Sequence, residues 1–444
     1  MPTDAWAAVP GRPYVTDTYN QAVGITNTLA LPDNTSGPTY DGFTNGYNAK
    51  MAPFNARGDG VVDDSAAIQA AITAAGVGGE VYVPPGNYLI GTKLSLKPGT
   101  RIRGSGSTTT GTNFIPTGTL SALFELDSVT LATACASNAL TNFRVTPATG
   151  TTIARIFSMI PSVTYLSSEL YVGNLFIDNS AAACTGSALY LENVIGGLIE
   201  RVSFRGNCAD AHIEYGSGSV PNSVGNYTLE CRSIYSGGNN TTTPYGIKVL
   251  GTAAAPHVSA QLNNCTLQNH TTAGIGLYWA DNVDINQYYS EVNTRALIAG
   301  DWGTLKYVRG LNVNGGRVWS NDLGDKGYLL DYAEHVTINN PRIHELPSDN
   351  WVEYGRVNGL LIHLFGQPSD AIHDRVLYNA NSEPSTAVTI VGAGNRDASI
   401  ITNDAPSITL MTTNLGVATA RKHYKMQVDN TGAWVATSWV PTVA

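Results

Sequence analysis

The sequence predicts an all-β protein: a right-handed parallel β-helix, or solenoid, opened by a short capping helix and closed by a β-rich C-terminal module. Three observations predict it. Glycine is abundant (46 of 444 residues) and charged residues are sparse at 13%, a mix suited to short strands and turns rather than long surface helices. A short alternating apolar pattern recurs through the middle of the chain. Each recurrence holds only two or three short strands and cannot bury its own apolar face, so the units must stack.

Residues 1–52 are rich in Pro, Gly, Asn, Thr and Tyr and read as an irregular lead-in or small cap. A loop, a helix and a first strand follow. Gly58 and Gly60 bracket Asp59 and permit a tight turn. Asp63, Asp64 and Ser65 precede an Ala-rich run and are expected to accept hydrogen bonds from the free N–H groups of its first turn. Ile68 and Ile72, four apart, form one apolar stripe. Gly76, Gly78 and Gly79 end the helix, and Val81 and Val83 begin strand alternation that Pro84-Pro85-Gly86 stops. Asp59, Asp63 and Asp64 are read as turn and cap residues, not as catalysts.

The repeat occupies 53–378. Its units align on Ile199, Leu229, Leu262, Ile285, Val313, Ile338 and Leu361, at intervals of 30, 33, 23, 28, 25 and 23 residues. Uneven intervals put variable loops on the edges of the solenoid. A β-propeller would need four strands per blade and a longer, more even period. Residues 379–444 hold short strands such as Ala387–Val391 and Tyr424–Val428 and read as a separate module for trimerisation or carbohydrate binding.

Composition excludes several function classes. The net charge is -9, and no Lys/Arg cluster reverses it locally, so no nucleic-acid partner is expected. Five cysteines without a C-x-x-C pair favour buried thiols over a disulfide framework or zinc site. No apolar run reaches membrane-spanning length, so no membrane insertion is expected. The first residues resemble no secretory signal, which fits either a trimmed signal or release by cell lysis. No nucleophile elbow, zinc-protease helix, P-loop or EF-hand loop occurs, and no cofactor or metal is expected.

The pattern Gly-Asp-Gly-x-x-Asp-Asp-Ser-x-Ala-Ile-Gln-x-Ala-Ile at 58–72, with Gly-x-Val-x-Val-Pro-Pro-Gly-x-Tyr at 79–88, resembles the pectate-lyase-like β-helix superfamily. It is most similar to bacteriophage tailspikes and capsule depolymerases, and the stretch Gly274–Asn293 is similar to tailspike coil sequences. The resemblance implies a homotrimer, attached to a virion through its N-terminus, that acts on a bacterial polysaccharide from the phage tail or in the extracellular space. It does not fix the reaction, since hydrolases, lyases and epimerases share the fold.

Glycoside hydrolysis needs two carboxyl groups flanking the scissile bond. Strands one coil apart lie about 4.8 Å from each other, so acids at matching places in adjacent coils come within range. Glu291 has such counterparts: Asp322 and Asp325 one coil later, and Glu345 one coil beyond. Glu291 with Asp322 and Asp325 also resembles the Glu and Asp-x-x-Asp set of several tailspike hydrolases. These three are the candidate catalytic residues; the competing reading of the two aspartates is an ordinary polar turn. Asp281, Asp284, Glu200 and Glu230 fall on outward strand positions and are read as surface acids. Trp302, Trp319 and Tyr289 are candidate sugar platforms, because sugar C–H faces pack on aromatic rings. His270, Arg317 and Glu345 are candidate polar contacts to substrate. Two alternatives remain open: a lyase acting by β-elimination on an acidic glycan, and a non-catalytic glycan-binding fibre or adhesin.

Overall fold

The computed structural model describes residues 40–41, 46–126, 135–160, 167–192, 194–216, 229–237, 243–254, 256–319, 326–340, 342–344, 350–364, 375–379, 386–392, 399–401, 408–411, 423–428 and 434–439. Most of them form a parallel β-solenoid whose successive coils contribute strands to three sheets. The first sheet buries an apolar ladder of Val81, Ile102, Leu140, Val172, Ile199, Cys231, Leu262, Ile285, Val313, Ile338 and Ile362, each directly opposite the next. The sequence alignment thus holds at five of its seven anchors. It slips by two residues at Leu229, still an interior position, and by one at Leu361, which moves that residue to the outer face.

The second sheet buries Tyr88, Phe114, Val145, Ile177, Phe204, Ser236, Leu267, Ser290 and Val318 in register. The third buries Leu94, Phe124, Phe157, Leu189, Ile213, Ile247, Ile275, Leu297, Tyr328 and Val352. Because side chains alternate faces, residues flanking these ladders point outward. Parallel pairing continues through Thr386–Gly392 and Ile408–Met411, after which His423–Val428 and Trp434–Trp439 pair antiparallel.

One conformational device recurs at the corner between the first and second sheets. Asn142, Asn174, Arg201, Ser233, Asn264, Gln287, Gly315 and Asn340 each sit two residues past the first-sheet ladder, with φ between 47 and 66°. A single left-handed residue bends the chain sharply there, and Asn tolerates that conformation better than most. Beside this corner, Asn286, Asn314 and Asn339 each donate from Nδ2 to the Oδ1 of the asparagine one coil earlier, at 2.9, 3.0 and 2.7 Å.

The helix Ser65–Ala75 packs Ile68, Ala71 and Ile72 onto the first coils. Of its acids, Asp64 departs from expectation and Asp63 meets it. Asp64 is the N-cap residue but makes no side-chain cap bond. Its carboxylate instead accepts from the N–H groups of Arg57 (2.6 Å) and Gly58 (3.0 Å), tying down the preceding loop. Asp63 accepts from the Ser65 N–H at 2.8 Å, and Asp59 from those of Val61 and Val62 at 2.8 and 3.0 Å. Cys184, Cys208, Cys231 and Cys265 are buried free thiols. Among the described residues, no helix is long and apolar enough to cross a membrane.

Candidate functional site

The outer face of the second sheet carries the Glu291 neighbourhood. Glu291 lies directly between Gln268 and Trp319 on adjacent coils, and Tyr289 lies between Thr266 and Arg317. Inward Ser290 between them fixes both as outward. The column is knitted by hydrogen bonds: the Tyr235 hydroxyl donates to Gln268 Oε1 at 3.0 Å, and Gln268 Nε2 donates to Glu291 Oε2. Burial and the adjacent Glu291 carboxylate raise the Tyr289 phenol above its ordinary pKa. The Arg317 guanidinium lies 4.2 Å over the Trp319 ring. The structure therefore brings Glu291, Tyr289, Arg317 and Trp319 together. Asp322 and Asp325 fall in sequence between strands Arg317–Trp319 and Lys326–Asn339, and Glu345 directly follows Arg342–His344. All three lie outside the described residues.

Two expected substrate contacts are placed elsewhere. His270 is buried inside the coil, not on its surface. Its Nε2 approaches Ser236 Oγ at 3.0 Å, and the same hydroxyl approaches His212 Nδ1 at 2.7 Å. His212 Nε2 lies 3.1 Å from the Gly206 carbonyl, which can only accept, so that nitrogen carries the proton. Burial lowers His212 to about 4 and His270 to about 3, and both stay neutral.

Trp302 occupies the loop that joins the third sheet to the first, a different edge from Glu291. Its N–H donates to Asp331 Oδ2 at 2.9 Å, its ring meets Tyr332 edge-on at 5.1 Å, and the Arg356 guanidinium lies 4.6 Å above it.

The third sheet carries a charged centre that the sequence reading missed. Glu214 and Lys248 are direct cross-strand partners. Each sits between core residues, Glu214 between Ile213 and Tyr215, Lys248 between Ile247 and Val249, so both point outward. Lys248 Nζ lies 2.7 Å from Asp210 Oδ2 and 3.1 Å from Glu214 Oε1, and Ser187 Oγ donates to Glu214 Oε2 at 2.6 Å. Burial pushes the Glu214 carboxyl up; Lys248 and Ser187 offset that only in part. The two carboxylates hold the Lys248 ammonium above its ordinary pKa despite its burial. The available signal was the pair of strand patterns Ile213-Glu214-Tyr215 and Ile247-Lys248-Val249, each a charge between two core residues. No linear motif joins them.

A shallow cavity of about 360 Å³ opens on the first sheet between Glu80, Arg101, Arg103, Glu169 and Tyr171. Its acids are already engaged: Arg103 pairs with Glu80 at 2.7 Å, and Ser137 donates to Glu169 at 2.6 Å.

Similar solved structures include the catalytic unit of a thermostable α-1,3-glucanase from Streptomyces thermodiastaticus (12% identity, 86% of this chain, 68% of that chain, TM-score 0.48). Another is the A-module of a mannuronan C-5 epimerase from Azotobacter vinelandii (14% identity, 81% and 98%, TM-score 0.43). A third is a protein of Geobacillus virus E2 (14% identity, 95% and 69%, TM-score 0.33). At this level of similarity no residue role or reaction carries over. No curated protein matches the sequence. A family profile described as rhamnogalacturonase A/epimerase, pectate lyase-like, matches residues 49–298, more than half of the chain. The chain therefore belongs to the rhamnogalacturonase A/epimerase family of pectate-lyase-like proteins.

Proposed function

We propose that the chain is a phage tailspike-type depolymerase that binds and cleaves a bacterial surface polysaccharide by glycoside hydrolysis. In this reading Glu291 is one of the paired carboxyl groups, and Asp322 or Asp325 is the other. One donates a proton to the leaving glycosidic oxygen, while the other activates water or attacks the sugar carbon. Tyr289 and Trp319 pack against sugar rings, Arg317 donates to hydroxyl or acidic substituents, and Glu345 accepts from hydroxyls. A homotrimer, held on a virion by its N-terminus, displays the groove to the cell surface.

The observation that carries the reading is the register of the second sheet. It sets Glu291 beside an aromatic ring and a cation on the next coil, and the strand bearing that ring runs into the segment holding Asp322 and Asp325. Elimination would require a base that loses its proton near neutral pH, and the Tyr289 phenol is pushed the opposite way. The test is to replace Glu291, Asp322 and Asp325 singly by their amides and to measure reducing ends and product mass on capsular polysaccharides. Hydrolysis adds one water per cut. Full activity in Glu291→Gln would sink the site assignment, and unsaturated products without added water would sink hydrolysis.

A further inference from the structure

The Asp210–Glu214–Lys248 centre has unused hydrogen-bonding capacity that faces outward. An ammonium carries three donors. Two of those on Lys248 meet Asp210 Oδ2 and Glu214 Oε1. Among the described residues, the third donor has no partner, and neither does Asp210 Oδ1. A charged donor and a charged acceptor therefore stand side by side on a strand face. Asp210 keeps 35% of its side chain exposed and Lys248 15%, so an incoming ligand can reach both.

The neighbouring coils supply walls. On one side Tyr190 is the direct cross-strand partner of Glu214, and the Arg155 guanidinium sits 3.6 Å over its ring. On the other side the partner of Lys248 is Gly276. A Cβ at Gly276 would lie 2.7 Å from the Tyr245 ring and 3.2 Å from that of Tyr278. Glycine therefore admits two aromatic rings over the strand, their hydroxyls joined at 2.9 Å. Lys248 Nζ lies 5.8 Å from the Tyr245 centroid.

We propose that this face is a second glycan site, which takes an uncharged hexosyl unit. Lys248 donates to one of two adjacent sugar hydroxyls, Asp210 accepts from the other, and the half-buried Tyr245 ring, braced by buried Tyr278, packs against the sugar's C–H face. Charge sets the class of ligand. Glu192, which accepts from the Tyr190 hydroxyl, together with Asp210, Glu214 and Asp301 outnumbers Arg155, Lys248 and Lys306, the last 5.3 Å from the Tyr278 ring, so an acidic sugar meets net repulsion, while a neutral diol matches one donor and one acceptor. The site lies on a different sheet from Glu291 and does not depend on where the polymer is cut.

The experiment uses the full chain carrying Glu291→Gln, run by affinity electrophoresis through gels containing neutral glucan, mannan or galactan, and through gels containing polygalacturonate. Retardation by at least one neutral polymer is expected. Asp210→Asn and Lys248→Met should each weaken it by about tenfold or more, the scale of one charge-assisted hydrogen bond. Migration in polygalacturonate should not change. Asp210 is the more exposed partner, so its amide variant remains informative if Lys248→Met fails to fold. The proposal is overturned if no neutral polymer retards the protein, or if a folded Asp210→Asn variant binds as tightly as its parent. Residual cleavage by Glu291→Gln would count against the cleavage site alone and leave the binding result intact.

Discussion

The early coils and the middle coils fill the same cross-section with opposite chemistry. In the early coils the interior is aromatic: Phe114 packs on Tyr88, Phe124 and Phe143 at centroid distances of 6.0, 5.2 and 5.0 Å. In the middle coils the same second-sheet ladder turns to Ser236, Leu267 and Ser290, and His212, His270 and Asn293 fill the space. The first region is held by buried area and dispersion. The second is held by buried polar contacts, which fix a single arrangement at the risk of a large penalty if one is lost. The proposed functional faces sit outside the second region. Asn293 shows the connection: its Nδ2 donates to the Leu267 carbonyl and to Ser290 Oγ, both at 2.8 Å, and its Oδ1 accepts from the His270 N–H at 2.9 Å. It anchors the turn that immediately follows Glu291.

The largest expected effect is on activity at the middle coils. Glu291→Gln should lower polysaccharide hydrolysis by about 10²–10⁴-fold, the usual worth of a positioned acid or base, while leaving the melting temperature within a degree or two of wild type. A melting curve run beside the reducing-end assay separates lost chemistry from lost fold.

Phe114→Ala should break the early coils. Truncating a fully buried aromatic typically costs about 3–5 kcal/mol. The loss should be the same at pH 7 and pH 5, because nothing in that cluster titrates there. A strongly pH-dependent penalty, read by denaturant titration at both pH values, would contradict the contrast between the two regions.

Acid should strike the middle coils. His212, His257 and His270 have folded pKa values of about 4, 3 and 3, against an ordinary 6.5. Their folded values are depressed, so the unfolded chain binds protons first as pH falls. The stability contribution is complete above about pH 6.5 and is lost from there down toward pH 4 to 3, at about 1.4 kcal/mol per pH unit for each fully buried histidine. Melting temperatures that stay flat from pH 7 to pH 5 would refute this.

The smallest effect belongs to the surface. Arg309 pairs with Asp281 at 3.0 Å but keeps 46% of its side chain exposed. Arg309→Ala should cost no more than about 1 kcal/mol in denaturant unfolding.

Much of the architecture was legible because the strand period is two and the interior is strict. Any apolar–polar–apolar triplet such as Val283-Asp284-Ile285 reveals both faces at once. Glu291, Tyr289, Arg317 and Trp319 could be grouped because they recur at similar places in consecutive units. Asp210, Glu214 and Lys248 could not, since Lys248 is 34 residues from Glu214 and only strand register brings them together. His270 was misread for the opposite reason. Local polarity at Asn269 and Thr271 signals a turn but does not say that the residue between them folds inward.

The column of left-handed residues at the first corner has a further consequence. From the coil of Leu140 to that of Ile338, this edge is closed by a single left-handed residue, whereas the lengths between the other corners differ from coil to coil. Contour length is therefore decoupled from cross-section. In these coils added residues are extruded at the other two edges, and the stacked interior keeps its dimensions. Whole coils become interchangeable parts, so a solenoid of this kind can lengthen its groove, or graft a new loop beside it, without redesigning its core.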